Sequence, residues 1–239
     1  MIPKIVHYCW FGKNPESKLM QKCIASWEKY LPDYEIIRWD ETNSPLQYNF
    51  LQNALKNKLW AKASDFVRFF AIYNFGGIYF DTDVEVLQSF DPLLKEKCFF
   101  GFQSLCEKGS PPLKDGVATG VFGAEKGNAF AKQMLEELEK KHKGTEPSLF
   151  SGPRLVSKFL IKKGLKQYSD SPCKVAGVTI FPLQYFYPFP TNLPRKEYGA
   201  DTFSIHHWQA SWVKTEGIRA RVKHRLHKIR QTIHHLAHD

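Results

Sequence analysis

The sequence predicts an α/β layer fold in which a mostly parallel sheet is covered by helices. Two features carry this. The chain opens with strand, helix, strand, and later a strongly apolar helix runs through a glycine pair into a buried strand. Composition agrees, since 239 residues with 43% hydrophobic and 24% charged side chains build a sizeable core without a disulfide scaffold and exclude collagen-like, coiled-coil and disordered chains. The 15% aromatic share points to a core of rings, to a site where rings stack on a planar ligand, or to both.

Ile5 to Phe11, β-branched and aromatic and closed by Gly12, reads as a buried first strand. Asn14-Pro15 opens a helix in which Leu19, Cys23 and Trp27 share one face until Pro32 ends it. Tyr34 to Trp39 is the second strand, and a polar stretch spans Glu41 to Gln47. Ala61 to Phe75 is an apolar helix stopped by Gly76-Gly77, and Ile78 to Phe80 follows as a buried strand. Cys98 to Phe102 and Val117 to Ala124 read as strands, Asn128 to Lys141 and Arg154 to Lys163 as helices. A Pro- and aromatic-rich loop, Pro182 to Pro194, precedes a closing strand, Phe203 to Trp208. One domain is expected over residues 1–213, with a separate helix over 214–239.

The net charge of +10 favours anionic partners, and the tail from Lys214 supplies half of it, with seven cationic residues and two acidic ones. Ile218, Val222, Leu226, Ile229, Ile233 and Leu236 form one helical stripe flanked by Arg and Lys. Such a basic amphipathic helix either lies on an anionic membrane surface through residues 218–236 or packs on a protein. Cys9, Cys23, Cys98, Cys106 and Cys173 are odd in number and lack metal-ligand spacing, which reads as buried thiols in a reducing compartment. Without a signal peptide pattern or an apolar run of membrane-spanning length, a cytoplasmic protein is expected, held peripherally on the inner membrane face if the tail binds lipid.

The sharpest chemical signal is Gly76-Gly77-Ile78-Tyr79-Phe80-Asp81-Thr82-Asp83. Alternation along a strand points Asp81 and Asp83 the same way, and two adjacent anions repel unless one is protonated or a cation binds. Oxygen ligands of this kind suit Mn²⁺ or Mg²⁺ with phosphate oxygens completing the shell, whereas the plainer reading is an acidic turn at a strand end. Asp65 and Arg68 share one helix face amid apolar neighbours, and the short glycine link folds them back toward Asp81 and Asp83.

From Ser64-Asp65-Phe66-Val67-Arg68 through Asp83 the chain resembles the DXD-containing sugar transferases of glycosyltransferase family 32. Ile2 to Gly12, Ser151-Gly152-Pro153, Tyr185-Phe186-Tyr187-Pro188 and His206 to Trp212 extend the resemblance in order. It implies a GT-A fold and a metal-dependent, retaining transfer of sugar from a nucleotide-sugar, by default a UDP-sugar; a saccharide or lipid-linked acceptor is expected, and the small size and cytosolic character point to surface polysaccharide synthesis. By position, Asp83 resembles the direct metal ligand and Asp81 the carboxylate facing ribose and metal. Asp65 and Arg68 resemble the residues holding the donor sugar and its diphosphate. Gly77, Ser211 and Trp212 join them as nucleotide-sugar contacts, and Trp10 sits where the family stacks a ring on the nucleobase, its alternative being a core Trp. Strand neighbours face opposite ways, so only one of His206 and His207 is expected to face the metal; His206 is taken as its third ligand, with His207 as the alternative. Ala118-Thr119-Gly120 departs from the family, whose members often carry an Asn there.

Two other functions are weighed. Aspartyl-phosphate-type phosphatases also end a strand in DxD, but here the residue two beyond the second Asp is Glu85, where those enzymes have Thr or Val. A basic nucleic-acid-binding protein would fit the pI of 9.3, yet no named nucleic-acid motif is present and nucleic acid is not expected as a partner.

Overall fold

The computed structural model describes residues 1–103, 109–112, 114–146, 152–189 and 198–209. Its elements in order are β1 (Ile5–Cys9), α1 (Lys18–Tyr30), β2 (Glu35–Trp39), α2 (Asn49–Lys56), α3 (Trp60–Phe75), β3 (Gly77–Phe80), β4 (Val84–Val86), β5 (Cys98–Gly101), β6 (Val121–Ala124), α4 (Ala129–Lys141), α5 (Pro153–Lys162), β7 (Cys173–Val175), β8 (Val178–Phe181), α6 (Leu183–Phe186) and β9 (Ser204–His206). Seven strands form one sheet in the order β2-β1-β3-β6-β5-β8-β7. β2, β1, β3, β5 and β8 run one way and β6 and β7 the other, so the sheet is mixed but mostly parallel.

Alternation along β3 divides the core. Tyr79 faces the cluster formed with α2, α3, α4 and α5, while Ile78 and Phe80 face the cluster holding Trp27 of α1 and Phe186 of α6. Gly76 and Gly77 take φ of +71° and +103°, and a Cβ at Gly77 would stand 2.5 Å from the Ile5 carbonyl oxygen. Only glycine makes this turn, which lays α3 directly beside β3.

The structure shifts several expected elements. α1 starts at Lys18, because the Ser17 side chain accepts the Met20 N–H and caps it there. α2 was hidden behind the polar stretch: its apolar residues Phe50, Leu51 and Ala54 are too few for a periodic signal, yet Phe50 stacks on Phe66 of α3 at 5.6 Å. Val117 makes only an isolated bridge to Phe102, so β6 begins four residues late, at Val121. β9 does not join the main sheet but pairs antiparallel with β4 in a two-stranded one. Cys9, Cys23 and Cys98 are buried as expected and Cys173 is half-buried, while Cys106 and the tail helix lie outside the described residues.

One buried histidine ties the strand ends together. His7 Nδ1 accepts from the Trp39 indole N–H (3.1 Å), so Nε2 carries the ring proton and donates to the Gly76 carbonyl (2.8 Å). Burial lowers its pKa to about 4, against a partial rise from the Gly76 bond. A depressed histidine stabilises the fold fully above about pH 6.5, its ordinary value, and that stability is lost as pH falls through about 4. The expected loss is about 3 kcal/mol. Urea unfolding between pH 7 and 4 measures it. If His7→Gln shows the same pH dependence as the parent, His7 is not responsible.

Candidate active site

The C-terminal end of β3 runs directly into Asp81 and Asp83, where ligand sites of open α/β sheets lie. Arg68 reaches them from α3. Its Nη2 stands 3.3 Å from Asp65 Oδ1 and 3.4 Å from Asp81 Oδ1, so the glycine turn does bring helix and strand carboxylates together. Nη1 donates to the Thr119 carbonyl (2.7 Å) and hydroxyl (3.1 Å), and Nε donates to the Ser64 carbonyl (3.1 Å). The guanidinium carbon lies 4.6 Å from the centre of the Tyr79 ring. Burial disfavours the Arg68 charge, but the Asp81 and Asp65 carboxylates beside it outweigh burial and keep the group ionised.

β9 delivers the third member. His206 Nε2 lies 3.2 Å from Asp83 Oδ1 and 3.6 Å from Asp81 Oδ2. His207 turns away, its Nε2 2.8 Å from Glu85 Oε2, which Lys22 Nζ also reaches at 2.8 Å. Pairing of Val84 with His206 puts both histidines next to the DXD turn, and alternation lets only His206 face it. Burial disfavours the His206 imidazolium, yet Asp83 and Asp81 outweigh burial and raise its pKa above the ordinary value. Burial likewise works against the Asp81 carboxylate, but Arg68, His206 and the Tyr79 hydroxyl hold it below the usual carboxylate range.

These groups fit a divalent cation. Among the described residues, one ligand atom each from Asp81, Asp83 and His206 lies within 4.8 Å of the others. A Cβ at Gly120 would stand 2.8 Å from Asp81 Oδ2 and 3.2 Å from His206 Nε2, so a missing side chain keeps that space clear. Each carboxylate has one oxygen already engaged. Asp83 Oδ2 accepts the Gln209 N–H (2.7 Å) and Asp81 Oδ1 accepts the Tyr79 hydroxyl (3.2 Å), which leaves one oxygen of each toward His206. Two carboxylate oxygens and an imidazole nitrogen suit Mn²⁺ or Mg²⁺.

Residues 17–100 match the family described as "Glycosyltransferase sugar-binding region containing DXD motif", a stretch that includes Asp65, Arg68, Asp81 and Asp83. The match covers about a third of the chain. Inositol phosphoceramide mannosyltransferase 3 of Schizosaccharomyces pombe is 28% identical over 57% of this chain and 37% of its own length. Inositol phosphoceramide mannosyltransferase 2 of the same organism is 28% identical over 72% and 50%, and mannosyl phosphorylinositol ceramide synthase CSH1 of Saccharomyces cerevisiae 29% over 58% and 36%. The chain thus spans half or less of the length of these relatives. The solved PaToxG glycosyltransferase superposes with a TM-score of 0.52 at 20% identity, covering 68% of this chain and 70% of its own, and the fold is of the GT-A type.

One expected contact stands apart from these residues. Gly77 lies at the opposite end of β3 from Asp81, about 13 Å away at the rise of a strand, and serves the turn against Ile5. Trp10 sits at the end of β1, partly buried, with its indole N–H on the Asn14 carbonyl (2.8 Å). Beside it opens a groove of about 390 Å³ lined by Gly12, Lys13, Asn14, Glu41, Lys58 and Trp60. Ser211 and Trp212 lie outside the described residues. Sequence reasoning gave no role to Trp60, to Tyr79, or to Gly152, where a Cβ would meet Asp65 Oδ1 at 2.9 Å. Thr119, where the chain departs from its resemblance, is a clasp for Arg68.

Proposed function

We propose that the protein is a metal-dependent, retaining glycosyltransferase that moves a sugar from a nucleotide-sugar to a saccharide or lipid-linked acceptor. The observation that carries this reading is the convergence of Asp81, Asp83 and His206 around one open position, with Arg68 beside it. Asp81, Asp83 and His206 would hold the Mn²⁺ or Mg²⁺, which supplies Lewis-acid neutralisation of the diphosphate leaving group when bound. Arg68 adds a fixed positive charge on the diphosphate side, and Asp65 accepts hydroxyl hydrogens of the donor sugar. The nucleobase lies at the end of β1, stacked on Trp10 or, across the groove, on Trp60.

The carboxylates nearest the donor are committed to binding partners, since Arg68 engages both Asp65 and Asp81. A same-face displacement therefore suits the site. The bond from the anomeric carbon to the leaving phosphate breaks, the bond to the acceptor oxygen forms on that face, and the acceptor proton passes to the departing phosphate. No protein base is required.

The curated relatives bear mannosyltransferase names, which supports mannose among the sugars to test. A lipid-linked acceptor suits attachment of residues 218–236 to an anionic membrane surface, in a cytoplasmic protein. No helix among the described residues is long and apolar enough to cross a membrane.

A thermal-shift panel of UDP- and GDP-linked sugars, mannose included, with and without Mn²⁺ tests the donor side. A ligand held 100-fold above its Kd stabilises the fold by about 2.7 kcal/mol, and the shift is expected only with metal. Donors that bind equally well without metal, or no donor binding at all, would defeat the reading. On the acceptor side, Leu226→Glu with Ile229→Glu should leave hydrolysis of soluble donor unchanged and reduce transfer to a lipid-linked acceptor in anionic vesicles. Undiminished vesicle binding would remove the membrane role.

A further inference from the structure

Tyr79 is 1% exposed and touches both charged partners of the site at once. Its ring packs against Phe122 at 5.8 Å and carries the Arg68 guanidinium on its face, while its hydroxyl donates to Asp81 Oδ1. We propose that Tyr79 is a positioning residue that divides the two oxygens of Asp81, keeping Oδ1 for the protein and leaving only Oδ2 for a divalent cation. This rests on the metal-site half of the proposed function and not on the identity of the sugar.

The physical case begins with the freedom of a carboxylate. An aspartate at a strand end rotates about its last side-chain bond over a broad, shallow range, so nothing local decides whether one oxygen or both face a cation. Here Tyr79 and Arg68 converge on the same oxygen from the buried side. The phenol hydroxyl donates to Oδ1 at 3.2 Å and the guanidinium stands 3.4 Å from the same atom. Asp83 is treated alike from the solvent side by the Gln209 N–H on its Oδ2. Both aspartates are thereby limited to one ligand oxygen each.

That limit has a chemical consequence. Small cations such as Mg²⁺ and Mn²⁺ take single oxygens in a near-octahedral shell, whereas Ca²⁺ accepts more ligands and readily takes both oxygens of one carboxylate. By withholding Oδ1, Tyr79 favours the small cations over Ca²⁺. A tyrosine acting only as core filler would carry no such preference, because its ring alone does the packing.

Calorimetric titration of the full chain with Mn²⁺ alone and with Ca²⁺ alone tests this without any sugar donor. Tyr79→Phe keeps the ring under Arg68 and deletes only the hydroxyl. Mn²⁺ affinity should fall by about 10-fold or more, the usual scale for losing a partner of a metal ligand. Ca²⁺ affinity should fall less, so the preference for Mn²⁺ narrows, while the unfolding midpoint stays close to the parent's. p-Aminophenylalanine at position 79, which restores a donor in the same place, should recover Mn²⁺ affinity. The inference is overturned if the Phe variant binds Mn²⁺ within two-fold of the parent, or if both cations weaken in proportion to a lowered unfolding midpoint. Should the Phe variant not fold, failure of the p-aminophenylalanine chain to bind Mn²⁺ overturns it as well. A parent that binds neither cation sinks this inference together with the metal site. Normal cation behaviour without donor binding sinks only the transferase reading.

Discussion

Asp83→Ala eliminates sugar transfer, with turnover down by about 1,000-fold or more, the scale expected when a positioned charge stabiliser is removed from a reacting centre. The substitution deletes the oxygen nearest His206 Nε2 (3.2 Å) and the acceptor of the Gln209 N–H (2.7 Å). It therefore removes one member of the proposed metal site and loosens the segment that carries another. The fold survives, because the seven-stranded sheet does not depend on either contact. Steady-state donor hydrolysis across a Mn²⁺ titration measures the effect, with denaturant unfolding as the control. Turnover unchanged at every Mn²⁺ concentration would show that the DXD turn is not the reacting centre.

Arg68→Lys is the second large effect. Arginine makes three kinds of contact at once here: hydrogen bonds to Thr119 and Ser64, ion pairs with Asp65 and Asp81, and a face-on approach to Tyr79. A lysine keeps the charge but cannot form the planar fork, so most of these contacts go unmade in a buried site. kcat/KM should drop by about 100-fold or more, the penalty of a misplaced positioning group. Stability should fall by about 2–4 kcal/mol, because the desolvated carboxylates lose their partner's geometry. Kinetics of donor hydrolysis together with urea unfolding separate the two parts. A variant that is destabilised yet turns over normally would show Arg68 to be a structural residue only.

The route from α3 to Asp81 was legible in the sequence because it is written locally: an apolar helix, two glycines, a buried strand, two acids. Strand alternation also stated that one of His206 and His207 faces the acids. Which one depends on β9 pairing with β4 in a sheet of its own, a long-range register that no local pattern encodes. Gly77 was misplaced for a related reason. It is four residues from Asp81 in sequence, but an extended strand turns those four residues into the full depth of the sheet. Thr119 and Gly120 act through a backbone carbonyl and an empty volume, features that residue type does not announce. Tyr79 was in view as part of a motif, and its dual contact emerges only when Arg68 arrives from the neighbouring helix.

The separation of β9 from the main sheet has a consequence for how the molecule comes into being. All seven strands of that sheet are in the chain by Phe181, whereas His206 arrives with the last described strand. Asp83 and His206 are 123 residues apart, so their meeting closes one of the longest loops in the protein and comes late in any folding route governed by chain entropy. During synthesis a nascent chain can thus hold its whole sheet while its reacting centre is still open. The three-residue group of Asp81, Asp83 and His206 is complete only once that strand has docked.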